Sequence, residues 1–229
     1  MDGLLPRLYK RACRTQAPRP LTTAAGLVVP VPSRPATSRR SSPRLPDVRI
    51  LFEGYAEPGV ASTVGYVHDG RARIVIDPGM VPSPKSILNP LRRLGVTPRQ
   101  VTDVVFSHHH PDHTLHAALF PNARFHDHWA IYQADTWESR KAEGFLVSPH
   151  VRLLETPGHT PQDITTLVDT ADGPVAFTHL WWGPDSPAED PYAPDAALLH
   201  RNRGRVLGLA RRIVPGHGPA FEPGPGTPR

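Results

Sequence analysis

Residues 107–113 read Ser107-His108-His109-His110-Pro111-Asp112-His113, and this short stretch decides what the chain can be. The five residues before it, Thr102-Asp-Val-Val-Phe106, are β-rich, so the histidines stand at the end of a predicted strand. Side chains alternate across a strand, so His108 and His110 can point one way while His109 points the other. Pro111 cannot continue the strand. The turn it forces brings Asp112 and His113 back toward the same cavity from a new backbone direction. Neutral imidazoles with one carboxylate are donors for a divalent cation; the set suits zinc, and it also suits iron, nickel or manganese.

Two more histidines occur in like settings downstream, Thr156-Pro-Gly-His159-Thr and Val214-Pro-Gly-His217-Gly, each just past a predicted strand. Further out, residues 48–52, 63–67 and 73–76 predict opening antiparallel hairpins, with a turn at Asp69-Gly70 and a stop at Asp77-Pro78-Gly79. Residues 123–126, 151–155, 163–168 and 174–178 predict later strands, and Ile213-Val214 the last. Ile87, Leu88, Leu91 and Leu94 predict a helix over 85–94 closed by Gly95, beginning near Asn89 or kinked there because of Pro90. A second helix is predicted over 195–212 with Asp195 as its N-cap. Strands and helices alternating in both halves place the helices on the outer faces of sheets.

In this order, the strand ending in Asp77-Pro-Gly79, the Ser107–His113 motif, Thr156-Pro-Gly-His159-Thr160 and Pro215-Gly-His217-Gly-Pro219 resemble the metallo-β-lactamase superfamily over about residues 48–223. Phe52-Glu-Gly-Tyr-Ala-Glu-Pro58 and the Gly216-His-Gly-Pro219 ending are similar to one subgroup of it. The resemblance implies an α/β (α+β) fold, a four-layer αββα sandwich with the metal site at the edge between two sheets. It also implies that His108, His110 and His159 hold one metal, and Asp112, His113 and His217 a second. The cofactor expected is zinc, one or two ions, with iron or manganese as alternatives. A divalent metal on three histidines keeps an open position and lowers the pKa of a bound water from 15.7 toward about 7. The expected reaction is therefore attack of metal-bound hydroxide on a small ester, thioester or lactone. Asp112 is the candidate catalytic residue, able to orient the attacking water and pass protons.

One position departs from the family. Members with two metals usually carry a bridging aspartate, in a Gly-Asp pair, at the end of the strand after the Pro-Gly-His turn. Here that place reads Ala176-Phe-Thr-His179-Leu-Trp-Trp182. A carboxylate can span two cations, whereas a neutral imidazole has one free lone pair and cannot. His179 is expected as a ligand to one metal or as a partner orienting a water; if two metals are present, only a water or hydroxide is expected to bridge them, and Asp185, whose setting reads as loop, is the first residue to test should another bridge be found. Charging of His179 near its ordinary pKa of about 6.5 would repel the metal held more weakly.

For the other histidines the plainer roles are expected. His109 should point away, His116 should lie on a helix surface, and His126, His128 and His150 should be loop or strand-end residues; His68 and His200 carry no signal. Tyr55, Trp181 and Trp182 lie on segments that the resemblance places near the cavity, and core packing is their equal alternative. Arg201, Arg203 and Arg205 spread round the last helix and read as a solvated face.

Charge divides the 229-residue chain. The first 50 residues hold ten Arg/Lys against Asp2 and Asp47, a net of +8, while the rest is −3, giving +5 in all. Eight prolines and a Ser/Arg/Pro run from Ser33 to Pro46 accompany that charge, so residues 1–46 read as a disordered leader and 47–229 as the folded domain. A basic leader and the subgroup resemblance admit an alternative function, a metal-dependent endoribonuclease or phosphodiesterase, with nucleic acid as partner. The net charge of the body argues against it and for a small-molecule substrate. A single cysteine, Cys13, excludes an internal disulfide framework, and no apolar run is long enough for a membrane span. With no convincing secretory signal, the expected location is cytoplasmic and a periplasmic β-lactamase is disfavoured.

Overall fold

Twelve strands divide between two sheets in a computed structural model of the chain, which describes residues 45–229. The leader expected over 1–46 lies outside the described residues apart from Leu45 and Pro46. The first sheet runs in sequence order: β1 (Asp47–Phe52), β2 (Val64–Asp69), β3 (Ala72–Ile76), β4 (Asp103–Val105), β5 (Arg124–His126), β6 (Ala130–Gln133) and β7 (Thr136–Ser139). The second contains β8 (Leu146–Ser148), β9 (Val151–Glu155), β10 (Ile164–Val168), β11 (Val175–Thr178) and β12 (Arg212–Pro215), in the order β12-β11-β10-β9-β8. Both are mixed. Hairpin neighbours pair antiparallel, whereas β3–β4, β4–β5 and β11–β12 are parallel. The helices are α1 (Lys85–Arg93), α2 (Pro111–Thr114) and α3 (Ala196–Leu207).

Strand alternation builds the layers. Ile74 and Ile76 of β3 join Leu153, Ile164, Val168, Phe177 and Val214 of the second sheet in one buried cluster, the filling between the sheets. Val75 faces the other way and packs with Ile87 and Leu91 of α1. On the second sheet Leu154, Leu167, Ala176 and Ile213 face outward to Leu199 and Val206 of α3. A helix, two sheets and a helix therefore stack as four layers, because each central strand is apolar on both faces.

Three local expectations are corrected. Helix α1 begins at Lys85, not near Asn89, and contains Pro90; burying Ile87 as well as Leu91 requires the earlier turn. Helix α3 starts where predicted, with the Asp195 carboxylate accepting from Leu198 N at 2.9 Å, but it stops at Leu207 with Gly208 as its cap. Arg212 belongs instead to β12, paired with Val175. Arg203 is not solvated. It is 0% exposed, lies over the Trp181 ring at 5.5 Å, and donates to the carbonyls of Leu180, Pro187 and Ala188.

Candidate metal centre

The strands end together at one edge of the sandwich, and the polar residues there come from their last positions and the turns that follow. His108 and His110 leave β4, and Pro111 opens α2, which carries Asp112 and His113. His159 occupies the β9–β10 turn, and His179 and His217 follow β11 and β12. These residues form three overlapping groups whose donor atoms lie within 4.8 Å of one another: His108–His110–His159, Asp112–His113–His217 and His108–His113–His179.

Hydrogen bonds aim the rings. Asp77, just past β3, accepts from Ser107 N at 2.6 Å and bonds His113 Nδ1 at 2.9 Å, so His113 turns Nε2 inward. Asp77 holds φ of 50°, and the glycine two residues on lets this turn press against α2. A Cβ on Gly79 would lie 1.7 Å from the Asp112 carbonyl oxygen. Asp190 bonds His159 Nδ1 at 2.8 Å, and the Ala61 carbonyl accepts from His217 Nδ1 at 2.8 Å. Carboxylate or carbonyl support of this kind fixes the tautomer of a ligating histidine. Neither Asp77 nor Asp190 was singled out for this task from sequence. The only signal available was a carboxylate at a strand end beside the glycine turn for the first, and none for the second.

The electrostatics separate the histidines. Burial, reinforced by the neighbouring imidazoles, pushes His108 and His179 well below the ordinary histidine value, so both are neutral. Burial would also lower His113, but Asp77 and Asp112 outweigh it and raise the ring to about 9. Burial would raise Asp112; hydrogen bonding and charge from His113 bring it to about 2. The group whose proton competes with a cation is therefore His113, not His179, which corrects the expectation for a pH effect near 6.5. Cation uptake at pH 7 should release about one proton per chain, and affinity should rise about tenfold per pH unit until it flattens near 9. Zinc titrations of apo-protein in two buffers of different ionisation enthalpy measure this; uptake without proton release would contradict it.

His179 is buried at the centre of the cluster. Its Nε2 is 3.1 Å from His217 Nε2, and its ring packs against the Gly216 backbone, where a Cβ would lie 2.3 Å from His179 Cδ2. Asp185 is exposed and outside every donor group. The buried Asp190, five residues on, is the loop carboxylate that reaches the site.

A cleft of about 390 Å³ opens over these residues, lined by Ala56, Val60, His110, Asp112, His159, His179, Trp182, Tyr192 and His217. Trp182 stacks on Tyr192 with ring centroids 5.6 Å apart and donates to Asp190 at 3.0 Å. Trp181 does not reach the cleft; it is fully buried in the core beneath α3. Tyr55 is also absent from the lining, packing edge-on against Phe52 and bridging Ala61. Tyr192 takes the aromatic place that sequence reasoning gave to them. His109 turns away, stacks on Trp129 and bonds Asp127. His116 bonds the Gly79 carbonyl, His126 bonds Asp103 and His150 bonds Asp69.

Buried histidine nitrogens without hydrogen-bond partners (His108 Nε2 and His179 Nδ1), with His113 Nε2 beside them 3.3 Å from the Asp112 carboxylate, fit a divalent cation. With this sandwich and this donor set, the sequence signature of the metallo-β-lactamase superfamily matches residues 58–221, and the chain belongs to that superfamily of metallohydrolases. It is similar to the human metallo-β-lactamase domain-containing protein 1, 33% identical over 204 residues that cover 85% of this chain and 71% of the relative. A Thermotoga maritima metallo-β-lactamase-fold chain superimposes with TM-score 0.62 at 24% identity, covering 79% of this chain and all of that one. AidC, a dizinc quorum-quenching lactonase, superimposes with TM-score 0.53 at 18% identity, over 68% of this chain and 72% of its own. No helix among the described residues is long and apolar enough to cross a membrane.

Proposed function

We propose that the chain hydrolyses a small, uncharged ester, thioester or lactone, with zinc as the working metal. The observation that carries this reading is the cleft. Its walls over the donor groups are Ala56, Val60, Trp182 and Tyr192, and among the described residues no Lys or Arg lines it. Such a wall accepts an acyl chain, while a phosphodiester backbone needs cations to neutralise it, and the described residues of the wall supply none. The name of the lactonase that shares the fold supports the same chemistry and the same metal.

A divalent cation at the histidines supplies an acidified water and an electrophile for the oxygen that gains charge during attack. The chain's own groups do the rest. Asp112, ionised at neutral pH and lining the cleft, accepts a hydrogen bond from the attacking water and carries its proton away. Trp182 and Tyr192 hold the apolar part of the substrate against the donor face. Asp190 keeps His159 in one tautomer throughout.

The test is a panel of an N-acyl homoserine lactone, an aryl ester, an acyl thioester and a short single-stranded RNA, offered to zinc-loaded protein. The expected result is turnover of at least one acyl substrate, abolished by chelation and restored by zinc, with RNA intact. RNA cleavage without acyl turnover would establish the nuclease alternative instead.

A further inference from the structure

Helix α3 packs on the outer face of the second sheet, yet one of its turns reaches toward the histidine edge. Leu199, Asn202 and Arg203 are spaced i, i+3 and i+4, so they share one face of the helix, and all three are buried. The Asn202 amide donates to the Pro157 carbonyl at 2.6 Å. Pro157 stands two residues before His159 in the β9–β10 turn. Leu199 presses on the same turn, where a Cβ on Gly158 would lie 2.9 Å from Leu199 Cδ1 and 2.5 Å from Leu180 Cδ2. The turn that presents His159 is therefore seated on α3.

Arg203, the next residue, holds the partner of that histidine. Its Nε donates to the Leu180 carbonyl at 2.8 Å, and one terminal nitrogen donates to the Pro187 and Ala188 carbonyls at 3.1 and 2.6 Å. Ala188 stands two residues before Asp190, whose carboxylate bonds His159 Nδ1 at 2.8 Å. Bonds from Tyr192 N, Ala193 N and Trp182 Nε1 to Asp190 stay within the β11–α3 loop, so they shape it without fixing it to the domain. Among the described residues, the hydrogen bonds that tie residues 187–190 to other elements come from α3 (Arg203, with His200 at 3.3 Å) and from His159.

We infer that Asn202 and Arg203 are positioning residues for the metal centre, setting the register of His159 against Asp190 from the helix behind them. The imidazole and the carboxylate come from loops 31 residues apart, and one rigid helical turn holds a carbonyl next to each. Support of this kind fixes the tautomer and aim of a ligating imidazole. Losing either anchor lets one partner shift while the other stays, and the ring then meets the cation less well. Neither side chain lines the cleft, so both act only through the His159–Asp190 pair. The inference rests on the reading of His159 as a histidine that holds the ion, and it is independent of the substrate.

The experiment is zinc titration of the full-length apo-protein against a chromophoric chelator, below the unfolding transition of every variant, with Co²⁺ absorption reporting coordination. His159→Ala should lose the tight ion; normal binding there would overturn the reading of His159 and this inference with it. Asp190→Ala should weaken zinc by about 10–100-fold, and Asn202→Ala and Arg203→Lys by about tenfold each, with changed Co²⁺ bands. In the Asp190→Ala background the same two changes should each cost less than about threefold more, because the contact they align is already gone. Val206→Ala, on the same helix but buried in the apolar layer against the sheet, should lower the melting temperature and leave zinc affinity within about twofold. That control separates positioning from general loss of stability. Unfolding transitions identify a variant that fails to fold, and Arg203→Gln or Asn202→Ser then takes its place. Zinc affinity within about twofold of the natural chain in either the Asn202 or the Arg203 variant, with the ion lost in His159→Ala, would overturn the inference alone. So would undiminished effects in the Asp190→Ala background, or equal weakening in Val206→Ala.

Discussion

Replacing His108 by alanine should remove the bound metal and lower kcat/KM for any acyl substrate by about a thousandfold or more, the largest single effect on activity expected anywhere in the chain. The reason lies in membership. His108 belongs to two of the three donor groups, and every arrangement that places a cation above the β4 end uses it. Without the cation the reaction loses both its acidified water and its electrophile, and each of those contributes several kcal/mol to the barrier. Elemental analysis after purification without a histidine tag gives the occupancy directly. Full occupancy in His108→Ala would show that the ion sits in the Asp112–His113–His217 group alone. His108 is buried, so the variant also leaves a small void, and His108→Gln serves as the better filled control.

The largest effect on stability should come from Arg203→Ala. The guanidinium is wholly buried, and its partners are carbonyl oxygens of Leu180, Pro187 and Ala188 rather than a carboxylate. Removing it strands the buried Leu180 carbonyl, takes a donor from the carbonyls of Pro187 and Ala188, and opens a void against Trp181. The lost hydrogen bonds and the void together cost about 3–5 kcal/mol. At about 2–4 °C per kcal/mol for a domain of this size, the melting temperature should drop by roughly 6–20 °C. Arg203→Lys keeps the charge without the planar fork and should fall in between. A melting temperature within about 2 °C of the natural chain in Arg203→Ala would show that those carbonyls find other donors.

Arg203 also marks where reading the sequence stopped. Arg201, Arg203 and Arg205 alternate along the chain, and nothing local distinguishes the one that turns inward from the two that do not. Its burial is decided by a loop of β11–α3 that folds back over it. By contrast, β1–β5 and β9–β12 were legible because each carries a short apolar or β-branched run ended by Gly, Pro or Asp, and those signals agree with burial on both faces. The strands missed were β6, β7 and β8. Thr136-Trp-Glu-Ser139 is exposed at all four positions on the sheet edge, so it has no apolar period to show. The histidine cluster was readable from spacing and turns alone. The carboxylates that aim it were not, because Asp77 and Asp190 reach their histidines across 36 and 31 residues of chain.

One contact bears on how such a protein diverges. A single oxygen, Asp190 Oδ2, receives both the His159 imidazole and the Trp182 indole. The wall that selects a substrate and the support of a metal-side histidine are therefore not separable parts. A change at Trp182 that alters which molecules fit also removes a donor from that oxygen and so alters the support of His159. Tyr192 is different: its ring stacks on Trp182 and meets His159 edge-on, while its backbone N–H binds Asp190. Drift in substrate range should accordingly run through Tyr192, Val60 and Ala56, with Trp182 and Asp190 changing together or not at all.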